Sequence, residues 1–215
     1  MINMKRKELI IWGIILLSFV IGAYLWPKMP EKMASHWNVA GQVNGYVPKF
    51  WGLFLMPFIS IGLFLLFILI PKIDPMKENV EKIRKYFDGF TVLMMLFLFY
   101  IYLLTIFWNL GDRFNMSQLI APAFGILFYY CGVLIENTKR NWFIGIKTPW
   151  TLSSDSVWDK THKLGGKLFK IAGVLNFLGL IFPVYAFFFI FFPVMAVAIY
   201  TIFYSYFEYQ KEKTK

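Results

Sequence analysis

Residues 171–207 read IAGVLNFLGLIFPVYAFFFIFFPVMAVAIYTIFYSYF and contain 37 residues without a charge. As one helix this stretch would be ~56 Å long, whereas the hydrocarbon core of a bilayer is ~30 Å thick. It must therefore fold back on itself, and Pro183 is the predicted turn because proline ends helices. A turn near Pro193 would leave the last span too short. Two spans result, at about 167–182 and 184–206, with a kink at Pro193.

Four more apolar stretches precede this pair, and each is long enough for a membrane helix. They cover residues 9–26, residues 50–70, the segment between Asp88 and Asp112, and the segment between Arg113 and Glu136. The first stretch follows a basic N-terminus but has no small-residue cleavage site, so we interpret it as an uncleaved span. The prediction is an all-α polytopic membrane protein with six transmembrane helices.

Composition agrees with this fold class. Of the 215 residues, 59% are hydrophobic and 16% are charged, and the mean hydropathy is +0.58. A soluble domain is about 45–50% apolar and about 25% charged. The composition excludes a soluble globule and also a disordered chain, which would be poor in aromatic residues.

The net charge of +10 is distributed unevenly along the chain. Of the 22 Lys and Arg residues, 18 lie in segments on the side of the two termini. The other side carries only Lys28, Lys32, Lys49 and Arg113. The positive-inside rule therefore predicts cytoplasmic N- and C-termini. The single cysteine, Cys131, excludes an internal disulfide, and we expect neither a metal site nor a cofactor.

The outer loop, residues 27–49, is one of two connections long enough to carry a function. Asn44-Gly45 predicts a tight turn, and Gly41 predicts a second one, since these residues tolerate positive φ. One interpretation is a recognition surface with a titratable ring at His36. The alternative is a structural cap that packs Trp37 and Tyr46 onto the helix ends. The candidate outer residues are His36, Trp37, Asn38, Gly41, Asn44, Gly45 and Tyr46.

The inner loop, residues 136–166, is the second such connection. Ser153 or Ser154 is a good N-cap for a short amphipathic helix on the membrane surface, which Gly165 would end before the fifth span. Asp159 lies three residues before His162 and could orient it for acid–base catalysis, but the helix dipole explains both residues equally well. The candidate inner residues are Asn141, Trp142, Gly145, Lys147, Thr148, Pro149, Trp150, Thr151, Trp158 and His162.

Polar residues within the predicted spans are few. Asn176 is expected to form a hydrogen bond between helices, and the pairs Ser18/Gly22 and Ala121/Gly125 should let helices approach closely. No charged residue lies in the middle of a span. This absence disfavours an ion-coupled transporter, which usually keeps such a charge.

Both loops resemble one family. His36-Trp37-Asn38, Gly41, Asn44-Gly45-Tyr46 and Pro48-Lys49 resemble the N-terminal uncharacterised domain of SdpI-like membrane proteins, and the stretch 141–152 with Val157-Trp158, Lys160-Thr161-His162 and Gly166 is similar to their C-terminal signature. An Arg is common in that family where Lys147 stands. The resemblance implies an N-terminal two-span unit, residues 1–86, and a four-span unit, residues 87–215.

The resemblance also implies a function. Such proteins protect a cell from a secreted toxic peptide, and they are thought to signal by holding a winged-helix autorepressor at the membrane. We therefore expect a multi-pass protein of a prokaryotic plasma membrane that is not an enzyme and does not bind nucleic acid directly. Its partners would be the lipid bilayer, a peptide outside and a repressor inside. The alternatives are a small exporter of amphipathic molecules and an intramembrane enzyme that uses Asp159 and His162.

Overall fold

The computed structural model describes residues 4–214, with side chains from Arg6 onward. The side chain of Lys5 and the whole of Lys215, both of which enter the charge count, lie outside this part. Six helical segments in the described part are long and apolar enough to cross a membrane. They are α1 Met4–Leu25, α2 Lys49–Ile73, α4 Arg84–Leu110, α5 Met116–Asn137, α7 Asp155–Asn176 continued by α8 Leu178–Ile181, and α9 Ala186–Lys213.

These segments confirm the predicted fold class. The turn between the last two spans lies at Phe182, directly before Pro183, as predicted. Two short helices, α3 Lys77–Lys82 and α6 Pro149–Ser153, lie in connections. Because six crossings return the chain to its starting side, both termini lie at the same membrane face. The connection between α1 and α2 lies at the opposite face.

The first three spans pack together through two apolar clusters. In the middle of the membrane, Ile11 and Ile15 of α1 contact Phe64 of α2 and Met95 of α4. Near the α1–α2 connection, Met33 packs with Leu53 and Tyr102. The Tyr102 hydroxyl donates to the carbonyl oxygen of Ser18 at 3.0 Å, and a Cβ on Gly22 would lie 3.2 Å from that hydroxyl. The expected close approach at Ser18 and Gly22 is therefore confirmed.

Glycines bring α5 and α7 into backbone contact. A Cβ on Gly132 would lie 2.5 Å from the carbonyl oxygen of Gly166, and one on Gly173 would lie 2.6 Å from that of Gly125. One turn further, a Cβ on Gly179 would lie 2.7 Å from the Cβ of Ala121. The predicted role of Ala121 and Gly125 is confirmed, since only small residues allow such close packing.

The end of the amphipathic inner helix was wrongly predicted at Gly165. Helix α7 instead runs without interruption from Asp155 through Gly165 and Gly166 to Asn176. A Cβ on Gly166 would lie 2.6 Å from the Cβ of Glu136, so this glycine serves helix packing and not a helix end. Buried partners on α5 override the local preference of glycine for a C-cap.

The interhelical hydrogen bond expected at Asn176 is also absent. The Asn176 amide donates back to the carbonyl of Ala172 in its own helix at 3.0 Å. Its side-chain oxygen is buried without a hydrogen-bond partner in the described part of the chain.

The α1–α2 connection forms a two-stranded antiparallel hairpin, β1 Lys32–Trp37 and β2 Val43–Pro48. Its turn lies at residues 38–42, where Gly41 has a φ of +75°. The prediction of the turn at Asn44-Gly45 was wrong, whereas the prediction for Gly41 is confirmed. Gly45 pairs with His36 at a register irregularity, and a Cβ there would lie 2.9 Å from the His36 Cβ. Gly45 thus lies at a β-bulge, where glycine is common in strands.

Candidate functional site

Asn109 in the last turn of α4 fixes the hairpin to the helices. Its side-chain oxygen accepts from the backbone N–H of Ala34 at 2.7 Å, and its amide donates to the Ala34 carbonyl at 3.1 Å. These two bonds occupy both backbone groups of one β1 residue, as a neighbouring strand would. The hairpin is closed at its base by the backbone N–H of Lys49, which donates to the carbonyl of Glu31 at 2.9 Å. It is therefore an ordered element.

Four of the predicted outer residues lie on the exposed side of the hairpin. The side chains of His36 and Asn44 are 2.5 Å apart across the two strands, and both are solvent-exposed. Asn38 accepts from the backbone N–H of Gln42 at 2.9 Å and so stabilises the turn. Tyr46 is 60% exposed, which contradicts the predicted packing of its ring onto a helix end.

Trp37 packs against the helices, in agreement with the structural interpretation. Its ring meets that of Trp108 edge to face at 5.6 Å, and the Arg113 guanidinium lies 3.8 Å from the centre of the Trp108 ring. Gly41 lies beside the side chain of Asn115, the N-cap of α5. Sequence reasoning missed these α4–α5 residues because it looked for function only in the two long loops. The available signal was Trp108 just before the α4–α5 connection and Arg113 within it.

The second candidate region lies at the face of the termini, and we call residues 138–154 the signature loop. Asn141 is fully buried at its centre. Its side-chain oxygen accepts from the backbone N–H groups of Phe143 and Ile144 at 2.9 and 2.6 Å. Its amide donates to the carbonyls of Lys139 and Ile144 at 2.8 and 2.9 Å. One side chain thus fixes the conformation of residues 139–144, the part of the loop that precedes α6.

Helix α7 contacts the signature loop through His162 and Trp158. The backbone N–H of Ile146 donates to His162 Nε2 at 2.9 Å, and His162 Nδ1 donates to the Trp158 carbonyl at 2.8 Å. The two rings stack at 3.9 Å, and Trp158 Nε1 donates to the Thr138 carbonyl at 3.1 Å. Because an imidazole that accepts at one nitrogen is neutral, the proton of His162 lies on Nδ1. Gly145, with a φ of +124°, gives this ring room.

These bonds oppose the catalytic interpretation. Both ring nitrogens of His162 bind main-chain groups, and the ring is 1% exposed. Asp159 pairs with Lys139 at 3.3 Å instead of with His162. The pair suggested for acid–base chemistry is therefore not formed. Among the described residues, no group of His, Cys, Asp and Glu is arranged to hold a metal ion.

A short threonine motif joins the signature loop to α9. Thr148 caps α6, and its hydroxyl lies 3.0 Å from the Ser205 hydroxyl of α9. The Thr151 hydroxyl donates to the Ile146 carbonyl at 2.9 Å and accepts from the Thr148 N–H at 2.9 Å. The Trp150 ring meets that of Tyr206 at 5.1 Å. These predicted signature residues therefore position the loop.

Polar residues of α9 and of the segment between α2 and α4 also hold the signature loop and the start of α7. Ser154 donates to Glu212 at 2.7 Å, and Lys160 pairs with Glu208 at 2.9 Å. The buried Asp74 accepts from the backbone N–H of Trp142 at 3.0 Å, and Asn79 donates to the Arg140 carbonyl at 2.9 Å. Sequence reasoning considered only the two long loops and so missed Asp74, which directly follows α2.

The remaining predicted inner residues are exposed. They are Trp142, Lys147 and Pro149, and only Trp142 is a large apolar side chain. The Lys147 ammonium donates to the Trp142 carbonyl at 3.2 Å. Phe143, which the prediction did not single out, is 38% exposed beside Trp142.

Six membrane-spanning helices with two ordered connections define a multi-pass cell-membrane protein. Residues 137–205 match the SdpI/YfhL protein family, and residues 13–61 match a domain of unknown function, DUF1648. The Immunity protein SdpI of Bacillus subtilis (strain 168) is 24% identical over 170 residues, which cover 79% of this chain and 79% of that protein. No solved structure matches. The chain is therefore similar to SdpI proteins in its C-terminal part and along most of its length.

Proposed function

We propose that the chain is an immunity protein that protects its cell from a secreted membrane-active peptide. The observation that supports this most is the ordered hairpin, which Asn109 holds at one membrane face while a polar and aromatic surface stays exposed. The named function of the Bacillus subtilis relative supports the same proposal. Because 18 of the 22 basic residues lie toward the opposite face, the hairpin is the extracellular element.

The peptide would meet the exposed side chains of His36, Asn44 and Tyr46 first, with Asn38 in the adjoining turn. An amphipathic peptide binds such surfaces through aromatic contacts with a rim of hydrogen bonds. Trp37, Gly41 and Gly45 have a different role in this proposal, because they shape the hairpin and attach it to Trp108 and Asn115.

The test is protection in a peptide-sensitive bacterial strain. Expression of the wild-type chain should raise survival against the supernatant of the native host, and the double variant His36→Ala, Tyr46→Ala should lose that protection while still accumulating in the membrane. Lys32→Ala, on the same strand, is the matched control. If the wild-type chain gives no protection against the supernatant or a panel of membrane-active peptides, the immunity proposal fails.

The finer part of the proposal concerns signalling at the signature loop. The family resemblance suggests a winged-helix autorepressor as its cytoplasmic partner. Trp142 and Pro149 are exposed there and are available for contact. A fluorescent fusion of the winged-helix regulator encoded nearest to the chain's gene should move to the membrane when peptide is added. Diffuse fluorescence under protective conditions would restrict the function to immunity.

The exporter alternative predicts a different measurement. Proteoliposomes that contain an exporter would release an enclosed amphipathic peptide, whereas an immunity protein of the proposed kind would bind the peptide without release.

A further inference from the structure

A cavity of about 230 Å³ lies where the signature loop meets the helix ends. Its walls come from Phe67 and Ile70 of α2, Phe87 of α4, Cys131 of α5, and Phe143 and Gly145 of the loop. The lining is almost entirely apolar. Because all these groups face one space, α2, α4 and α5 leave a gap that the loop closes from the side of the termini.

The depth of the cavity places it at the edge of the hydrocarbon core. Cys131 lies six residues before the end of α5, and Ile70 lies three residues before the end of α2. At ~1.5 Å per residue these positions are roughly 5–9 Å from the helix ends. Lipid acyl chains begin at about this depth, below the headgroups.

The signature loop, which forms one wall of the cavity, also carries an exposed cation. Lys147 donates to the carbonyl of Trp142, the residue directly before Phe143 in the cavity wall. Several other cations of this face bind carboxylates, for example Lys139 with Asp159 and Lys170 with Glu136. Lys147 forms no ion pair within residues 6–214 and is exposed.

We propose that this cavity binds one phospholipid with an anionic headgroup, whose acyl chain enters between Phe67, Phe87 and Cys131 and whose phosphate pairs with Lys147. The apolar lining matches the chain, and the free ammonium at the loop matches the headgroup charge. Trp142 is half exposed next to this position, where interfacial tryptophans contact headgroups. The lipid joins the helices of the first half to the signature loop.

Native mass spectrometry of the purified full-length chain tests the headgroup. Dioleoyl phosphatidylglycerol should bind about fivefold more tightly than dioleoyl phosphatidylcholine, the effect expected of one lysine at an anionic surface. Lys147→Gln should remove this preference. Lys163→Gln is the matched control and should keep the preference, since Lys163 is also exposed and also forms no ion pair with the residues that the structure describes. Equal binding of the two lipids, or equal loss in both variants, would overturn the proposal.

The sole cysteine of the chain tests the acyl-chain position without any substitution. Phosphatidylglycerol should slow the alkylation of Cys131 by N-ethylmaleimide at least about threefold in the wild-type chain, while Lys147→Gln should react at the lipid-free rate at the same lipid concentration. Glycerophosphoglycerol, which has the headgroup but no chains, should not slow the reaction. Protection by the headgroup alone, or none by the intact lipid, would contradict a chain seated in this cavity.

Discussion

The backbone N–H of Ile146 donates to Nε2 of His162 across 2.9 Å, so that a side chain from α7 completes the hydrogen bonding of the signature loop. Since the same ring stacks on Trp158, the imidazole is a structural part of the loop. The substitution His162→Ala should therefore lower the free energy of unfolding by about 1–3 kcal/mol, because it leaves the buried N–H of Ile146 without an acceptor.

Thermal unfolding in detergent measures this loss, and Lys163→Ala, an exposed neighbour on the same helix, is the control. Residual immunity at low temperature in His162→Ala would agree with a structural role. Complete loss of function in a variant with unchanged stability would instead favour direct participation of the ring.

Asn141 provides a sharper test of loop order, because its donors and its acceptor have different partners. Asn141→Asp keeps the acceptor for Phe143 and Ile144 but loses the donors, whereas Asn141→Ala loses both. Both variants should destabilise the chain by more than about 1 kcal/mol. Limited proteolysis should cut the loop faster in both. Wild-type protection of the loop in Asn141→Ala would show that the amide does not organise it.

The attachment of the hairpin depends on Asn109. Asn109→Leu removes both hydrogen bonds to Ala34 while keeping a similar side-chain size, so hydrogen exchange in residues 32–48 should become at least about tenfold faster, as a loss of ~1.4 kcal/mol implies. Gln118→Leu is the control, because the Gln118 side chain donates to the Leu180 carbonyl and not to the hairpin. Unchanged exchange in Asn109→Leu would mean that the strand pairing alone keeps the hairpin in place.

The contact between α5 and α7 should not tolerate a larger side chain. Gly132→Leu would place a Cβ 2.5 Å from the Gly166 carbonyl oxygen and 2.8 Å from the Lys170 backbone nitrogen, so the helices must separate. We expect the amount of folded protein in the membrane to fall at least severalfold, as judged by fluorescence-detected size exclusion. Gly62→Leu is the control, since nothing lies within 4 Å of a Cβ there. An equal yield of the two variants would contradict the packing.

The membrane orientation is testable with single cysteines in a Cys131→Ala background. A membrane-impermeant maleimide should label Asn38→Cys in intact cells and Ser156→Cys only after permeabilisation. The reverse pattern would place the signature loop outside and exchange the sides proposed for peptide and regulator.

The six spans and the two long loops between them could be predicted from the sequence, because the bilayer thickness sets the length of every span. The position of the hairpin turn could not. Asn44-Gly45 and Gly41 both permit tight turns, and the choice depends on strand pairing and on Asn109, which lies 75 residues from Ala34. Gly165 was misjudged for a similar reason, since a glycine at a helix end and one at a helix contact look alike without the partner helix.

For the site residues too, the sequence indicated some of the residues but not what they bind. The motif residues Asn141, Thr148 and Thr151 were singled out as a group, but nothing local indicated that they bind backbone rather than a ligand. Asp74 gave no signal, because a carboxylate in a mixed-charge connection usually faces water. The predicted division at residues 86 and 87 stays a prediction; helix α4 contacts residues of both proposed units.

The last two turns of α9 hold Glu208 and Glu212, which bind Lys160 and Ser154. Ending the chain after Phe207 would leave every apolar span whole and yet remove both carboxylates, so that the contacts at Ser205 and Tyr206 alone would join the loop to α9.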